Sequence, residues 1–128
     1  MATYPDLKDE QGWLKYCFGE NSLAQPHVPL LTLMIQLDEV AIIRLLKLHI
    51  KWIQSPSTDW SSLRLQWLFA LLVCLDLPID ASMQAELFQL QKSCKTVRAT
   101  SESLDDDILA GINIVITVLE KVFNQREV

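Results

Sequence analysis

The segment LRLQWLFALLVCLDLPID, Leu63 to Asp80, constrains the fold more than any other part of this 128-residue chain. From Trp67 to Leu75 it contains no polar side chain except the thiol of Cys74. Such a run can be a membrane span, a buried helix or strand, or a helix with two faces to cover. A span needs about 20 largely uncharged residues. Arg64, Gln66, Asp76 and Pro78 interrupt this run too soon. It is a core element.

The remaining chain decides between helix and strand. Three glycines and five prolines leave little material for tight β-turns. Apolar residues recur at spacings of three and four, which is the period of a helix. A first helix is expected from about Asp9 to Phe18, with Leu14, Cys17 and Phe18 on one side, Trp13 adjoining them, and Gly19 as its stop. Glu20 to Val28 reads as a loop around Pro26. Pro29 can open a short helix carrying Leu30, Leu31, Leu33, Met34 and Leu37.

Asp38 suits the N-cap of the next helix, because its carboxylate can accept from free backbone N–H groups of the first turn. That helix should reach about Gln54, ended by Ser55, Pro56 and Ser57. It carries apolar residues on two stripes, and its polar remainder, Arg44, Lys47 and Lys51, is narrow, so it needs cover on most sides. A helix from near Asp59 to about Leu75 includes the opening segment and is stopped by Pro78.

Asp80 then caps a long amphipathic helix with Met83, Leu87, Leu90, Cys94 and Val97 inward and Gln84, Gln91, Lys92, Lys95 and Arg98 elsewhere. Ala99 to Asp107 starts the last helix, with Ser103 and Asp106 at capping-box spacing and Asp105 to Asp107 facing the positive end of its dipole. Ile108, Ile112, Val115, Leu119 and Val122 form its main stripe, widened by Ile116 and Phe123. The β-branched run INIVITV, Ile112 to Val118, is the best candidate strand, but it sits inside this helical period. The fold class expected is all-α, a single-domain bundle of five to six helices over residues 1–128.

Composition narrows the function. Net charge is -5 with a pI near 4.9. Phosphate binding normally needs a basic face, so direct nucleic-acid binding is not expected. Cys17, Cys74 and Cys94 are odd in number and far apart, and the first ten residues form no signal peptide. They read as reduced thiols of a cytosolic or nuclear protein, without metal-ligand spacing. Apolar residues make up 50% of the chain, which fits a well-filled core or apolar surface left for a partner.

Chemistry has few candidates. There is no phosphate-cradling glycine loop, no HExxH, and no nucleophile beside an obvious base, so neither an enzyme nor a cofactor site is expected. His49 reads as structural or surface, Cys74 and Cys94 as inert apolar thiols, and Asp105 to Asp107 as a helix start. Lys92, Lys95 and Arg98 read as a solvated basic stripe. Trp13, Trp52, Trp60 and Trp67 are core residues by default, although tryptophan is also common where interfaces concentrate binding energy.

Four segments resemble one family in order. DEQGWLKYCFGE (Asp9 to Glu20), QWLFALLVCLDLP (Gln66 to Pro78), QLQKSCKTVR (Gln89 to Arg98) and NIVITVLEKVFNQRE (Asn113 to Glu127) are similar to the C-terminal helical domain of the second gem-associated protein, the survival-of-motor-neuron (SMN) interacting protein family. The resemblance implies a non-enzymatic adaptor of the SMN complex, which assembles Sm rings in spliceosomal snRNP maturation and so serves mRNA splicing. The implied partners are an amphipathic helix from the SMN N-terminal region and D-type Sm proteins, in a heteromeric complex of cytoplasm and nucleus. No membrane partner is implied. The family's extended Sm-binding arm is not expected in this chain, which begins close to the helical domain.

On that basis the opening segment should have two faces. Leu65, Leu68, Leu72 and Leu75 are expected to face the core. Leu63, Gln66, Trp67, Ala70 and Cys74 are expected to point into a groove for the partner helix, with Trp13 and Cys17 on the opposite wall. Gln66 stands where family members commonly carry an arginine, so a charge pair would become an amide hydrogen bond. A helical bundle enclosing an apolar ligand or lipid is the alternative.

Overall fold

A computed structural model describes residues 4–19, 26–55, 60–100 and 104–123. Its elements are α1 (Glu10–Phe18), α2 (Leu31–Met34), α3 (Glu39–Ile53), α4 (Ser62–Cys74), α5 (Ala81–Thr100) and α6 (Asp106–Lys121). The all-α expectation holds: among the described residues there is no strand. No helix among them is long and apolar enough to cross a membrane.

Short polar side chains start these helices by accepting from otherwise unpaired N–H groups. Asp9 accepts from the amide of Gly12 at 2.9 Å, Asp38 from Ala41 at 2.8 Å, and Asp80 from Met83 at 2.8 Å. Ser61 caps α4, accepting from Arg64 at 3.2 Å; Asp59, where that helix was expected to begin, lies outside the described residues. Gly19 closes α1 with φ 65°, a left-handed conformation that a Cβ would strain. At α6 the capping-box expectation is not met: Asp105 takes the N-cap position without a side-chain bond, Asp106 is already helical, and Ser103 lies outside the described residues. Pro29 does not open α2 either. Leu30 is its N-cap, and the helix is a single turn.

Packing follows the apolar periods. In α3, Ala41, Ile42, Leu45, Leu46, Leu48, His49, Ile50 and Ile53 are all buried, as its two stripes required. Lys47 reaches Ser82 at 3.3 Å, and Gln54 reaches Ser93 at 3.2 Å, so α5 runs alongside α3 in the same direction. Arg98 donates to Asn113 at 2.8 Å, and Lys95 meets Glu120 at 3.3 Å, so α6 returns against α5. Lys92 and Arg98 of the basic stripe are exposed, as expected of a solvated face, with Lys92 5.7 Å from the ring of Phe88, while Lys95 is half-buried at its contact with α6.

Two other placements differ from expectation. Gln91 is buried, because α5 is covered by both α3 and α6 and little of its girth is left for water. Val122 is exposed, because α6 ends at Lys121 and Val122 is the cap beyond its last turn.

Candidate partner-binding surface on α4

Helix α4 is apolar nearly all round, and such a helix must be covered on most of its circumference. Leu65, Leu68, Leu72 and Leu75 are buried, as expected. The faces on either side of them have different surroundings.

One side is sealed by aromatic packing. Trp67 is fully buried, and its indole N–H donates to the carbonyl of His27 at 2.9 Å. The imidazole of His27 stacks on Tyr16 at 3.9 Å, with its Nδ1 2.8 Å from the Tyr16 carbonyl. That carbonyl can only accept, so Nδ1 carries the proton. Tyr16 in turn meets Trp67 edge-on, and the indole N–H of Trp13 donates to the Asp6 carbonyl at 3.0 Å. Helix α1 and the segment 26–30 therefore cover this side.

That cover corrects the expected groove lining. Trp13, Cys17 and Trp67 have no exposed surface. Leu63, Ala70 and Cys74 are half-buried, and of the seven residues only Gln66 is exposed. Tryptophan rings large enough to wall a groove are here used to pack α1 against α4.

Behind Trp67 lies the pair that most resembles a nucleophile with its base. Cys17 Sγ is 3.6 Å from His49 Nε2. Both are buried, and burial acts on them in opposite directions: it raises the Cys17 thiol pKa and lowers His49 to about 3. The Arg64 charge adds to the lowering on His49 and only partly offsets the rise on Cys17. Both groups stay neutral, with Sγ and Nε2 within hydrogen-bond reach of each other. A cysteine nucleophile needs a thiolate, so this pair is structural. His49 Nδ1 is left buried without a hydrogen-bond partner, inside a cage of Phe18, Trp52 and Trp67. Arg64 closes the edge of that cage, its guanidinium 4.5 Å from the Phe18 ring centre. Among the described residues no group of three or more His, Cys, Asp or Glu could hold a metal.

The other side of α4 is open. Ser62, Leu65, Gln66 and Phe69 face Asp107, Gly111 and Ile114 of α6 across a cleft of about 210 Å³. A Cβ on Gly111 would come within 2.8 Å of a Leu65 methyl, so the glycine allows α6 its close approach. Farther along, Leu77 lies near Val122 and Phe123 around a second depression. Leu65 beside Gly111 and Leu77 beside Val122 show that α4 and α6 run in the same direction. Phe69 is 41% exposed, Val73 62% and Ile114 51%, so exposed apolar side chains form a strip beside the cleft.

The strip escaped the reading of the sequence, although two signals for it were present. Ser62, Gln66, Phe69 and Val73 follow each other at four, three and four, one face of a helix. A glycine inside a helix costs about 1 kcal/mol relative to alanine and so often marks close packing.

The family model for the SMN interacting protein 1 family matches residues 1–126. The chain belongs to that family. Gem-associated protein 2 of Xenopus laevis is 28% identical over 145 residues, covering 98% of this chain and 55% of the relative. The Drosophila melanogaster protein of the same name is 27% identical, covering 96% and 49%. The fold is similar to a chain in a solved structure described as the 8S snRNP assembly intermediate, with a TM-score of 0.78 and 26% identity over 94% of this chain and 55% of that one. The chain thus spans about half the length of these relatives. Family membership supports the expectation drawn from the four segments, and Gln66 lies on the open cleft.

Proposed function

We propose that this chain is a non-enzymatic adaptor in SMN-complex assembly of spliceosomal snRNPs. It receives the amphipathic N-terminal helix of its SMN protein along the open strip between α4 and α6. It also contacts D-type Sm proteins, and it acts in cytoplasm and nucleus. The observation that carries this reading is the apolar cleft bordered by Gln66, on a chain whose family is named for SMN interaction. A helix in a groove is read through apolar anchors about one turn apart, and Phe69, Val73 and Ile114 offer that surface. Leu31, Ile35 and Val40, exposed around α2, supply a second apolar area for the Sm contact.

The enclosed-ligand alternative fits less well. The cleft, at about 210 Å³, is smaller than the roughly 300–1,000 Å³ usual for small-molecule sites, and it is open along its length.

The test is titration of the chain with the N-terminal segment of its SMN protein, with thermal melting alongside. A one-to-one complex with a raised Tm is expected, since a ligand that binds only the folded state stabilises it. Ile114→Lys should abolish that rise while leaving the free protein's Tm unchanged. No complex, or a complex indifferent to Ile114→Lys, refutes this placement.

A further inference from the structure

Two seams of the bundle are finished differently. Between α4 and α6 lies the open cleft, whereas the seam between α3 and α5 is closed at its surface by polar side chains. Two serines of α5 take part. Ser93 Oγ accepts from the Gln54 amide at 3.2 Å, and Gln54 in turn accepts from Gln89 at 2.9 Å. Ser82 Oγ accepts from the Lys47 ammonium at 3.3 Å. Ser82 is exposed, and Ser93 is half-buried.

The two serines therefore differ in what faces them, an amide for one and a cation for the other. Arg44, Lys47 and Lys51 stand at i, i+3 and i+7, one face of α3. Lys51 meets the Glu10 carboxylate at 3.0 Å, and Arg44 donates to the Leu7 carbonyl at 3.4 Å. Lys47 forms no ion pair among the described residues, and the acceptor it reaches is a neutral hydroxyl. Lys47 is half-buried, so packing of its stem holds the ammonium at that hydroxyl.

A cation without a counter-charge, held against an exposed hydroxyl, suits the modification that turns a hydroxyl into an anion. A phosphate carries about −1.5 to −2 charges near neutral pH and strong acceptor oxygens, and its bond to an ammonium is charge-assisted. Two like charges oppose it. Asp80 lies two residues before Ser82, but its carboxylate is already engaged by the Met83 amide at 2.8 Å. Glu86 lies one turn after Ser82, where a like-charge pair on a helix surface costs less than a charge-assisted bond gains.

We propose that Ser82 is a phosphorylation site and that its phosphate is received by Lys47, locking the start of α5 to α3. In the modifying step the Ser82 oxygen forms a bond to the terminal phosphorus of a nucleoside triphosphate, and the bond from that phosphorus to the bridging oxygen breaks. The nucleoside diphosphate leaves, and the hydroxyl proton passes to a base of the kinase. Residues 75–80, which are not helical, lead into the first turn of α5 and give the kinase an extended approach. The site lies on the α3–α5 seam and stands or falls independently of what occupies the α4–α6 cleft.

The experiment uses the whole chain, made with phosphoserine at position 82 and, for comparison, at position 93. Phosphate on Ser82 should raise the Tm by about 2–3 °C at low salt and by less at high salt, because an exposed charge pair contributes modestly and is screened. Lys47→Gln should remove that rise, read as the difference between its phosphorylated and unphosphorylated forms. By phosphorus NMR the phosphate on Ser82 should titrate below its usual value of about 6, and that on Ser93, opposite an amide, should not. The protein purified from the cells that make it, with phosphatases inhibited, should carry phosphate on the peptide containing Ser82 by mass spectrometry. No phosphate on that peptide, a rise in Tm that survives Lys47→Gln, or an equal rise from phosphate on Ser93 would overturn the proposal.

Discussion

Trp67 and Phe69 are two residues apart on one helix, and both are large aromatics in an apolar run. Trp67 is sealed beneath α1 and the 26–30 segment, with its N–H satisfied by His27. Phe69 is 41% exposed at the mouth of the cleft. The side chains themselves do not explain the difference; their neighbours do. α1 supplies Trp13, Tyr16 and Cys17 to one side, whereas α6 offers a glycine and a half-exposed isoleucine to the other. Burial on one side is therefore fixed by the packing of α1, while the other side keeps exposed apolar side chains.

The largest test of that contrast is on the sealed side. Trp67→Ala should destabilise the protein by about 3–5 kcal/mol, the usual cost of removing a buried large aromatic, read as a lower urea midpoint. An effect below 1 kcal/mol would mean the sealed face is not core. On the open side, Phe69→Ala should cost about 2 kcal/mol of binding to the SMN segment, roughly a thirty-fold weaker Kd, with about 1 kcal/mol or less of folding stability. Loss of stability without loss of binding would reverse the roles of the two faces.

A third test uses pH. His49 is held neutral, its pKa lowered from 6.5 to about 3 by burial first and by Arg64 second. The unfolded chain therefore binds a proton that the folded one refuses below pH 6.5, so this contribution is fully present above that pH and is lost on acidification toward pH 3. Between pH 7 and 5.5 the expected loss is about 1 kcal/mol, and His49→Gln should flatten it. A slope unchanged by His49→Gln would place the titration elsewhere. The smallest expected effect is that of Gln66→Arg. Stability should change by no more than about 0.5 kcal/mol at this exposed site. Any change in SMN-segment affinity would report what a charge at this position contributes.

Much of the fold was legible before any coordinates. Asp38 and Asp80 are caps because a short carboxylate at the head of an apolar period has little else to bond, and Gly19 ends α1 because it can turn left-handed. The expected core stripe of Leu65, Leu68, Leu72 and Leu75 is buried. The open face was not legible. The expected lining was Leu63, Gln66, Trp67, Ala70 and Cys74 with Trp13 and Cys17, whereas the cleft has Ser62, Leu65, Gln66 and Phe69 on α4, so only Gln66 is shared. Periodicity gives the relative angles of residues on a helix, but it does not say which neighbour covers which angle when nearly every angle is apolar.

The sequence by itself determined the helices, their caps and the membership of a family, because local periods and hydrogen-bonding residues act within a few positions of themselves. Tertiary structure decided which of α4's apolar faces is closed. That choice depends on α1 and the 26–30 segment folding onto Trp67, and on Gly111 drawing α6 against Leu65, contacts between parts of the chain about 40 residues apart whose fit is a matter of shape rather than of residue type.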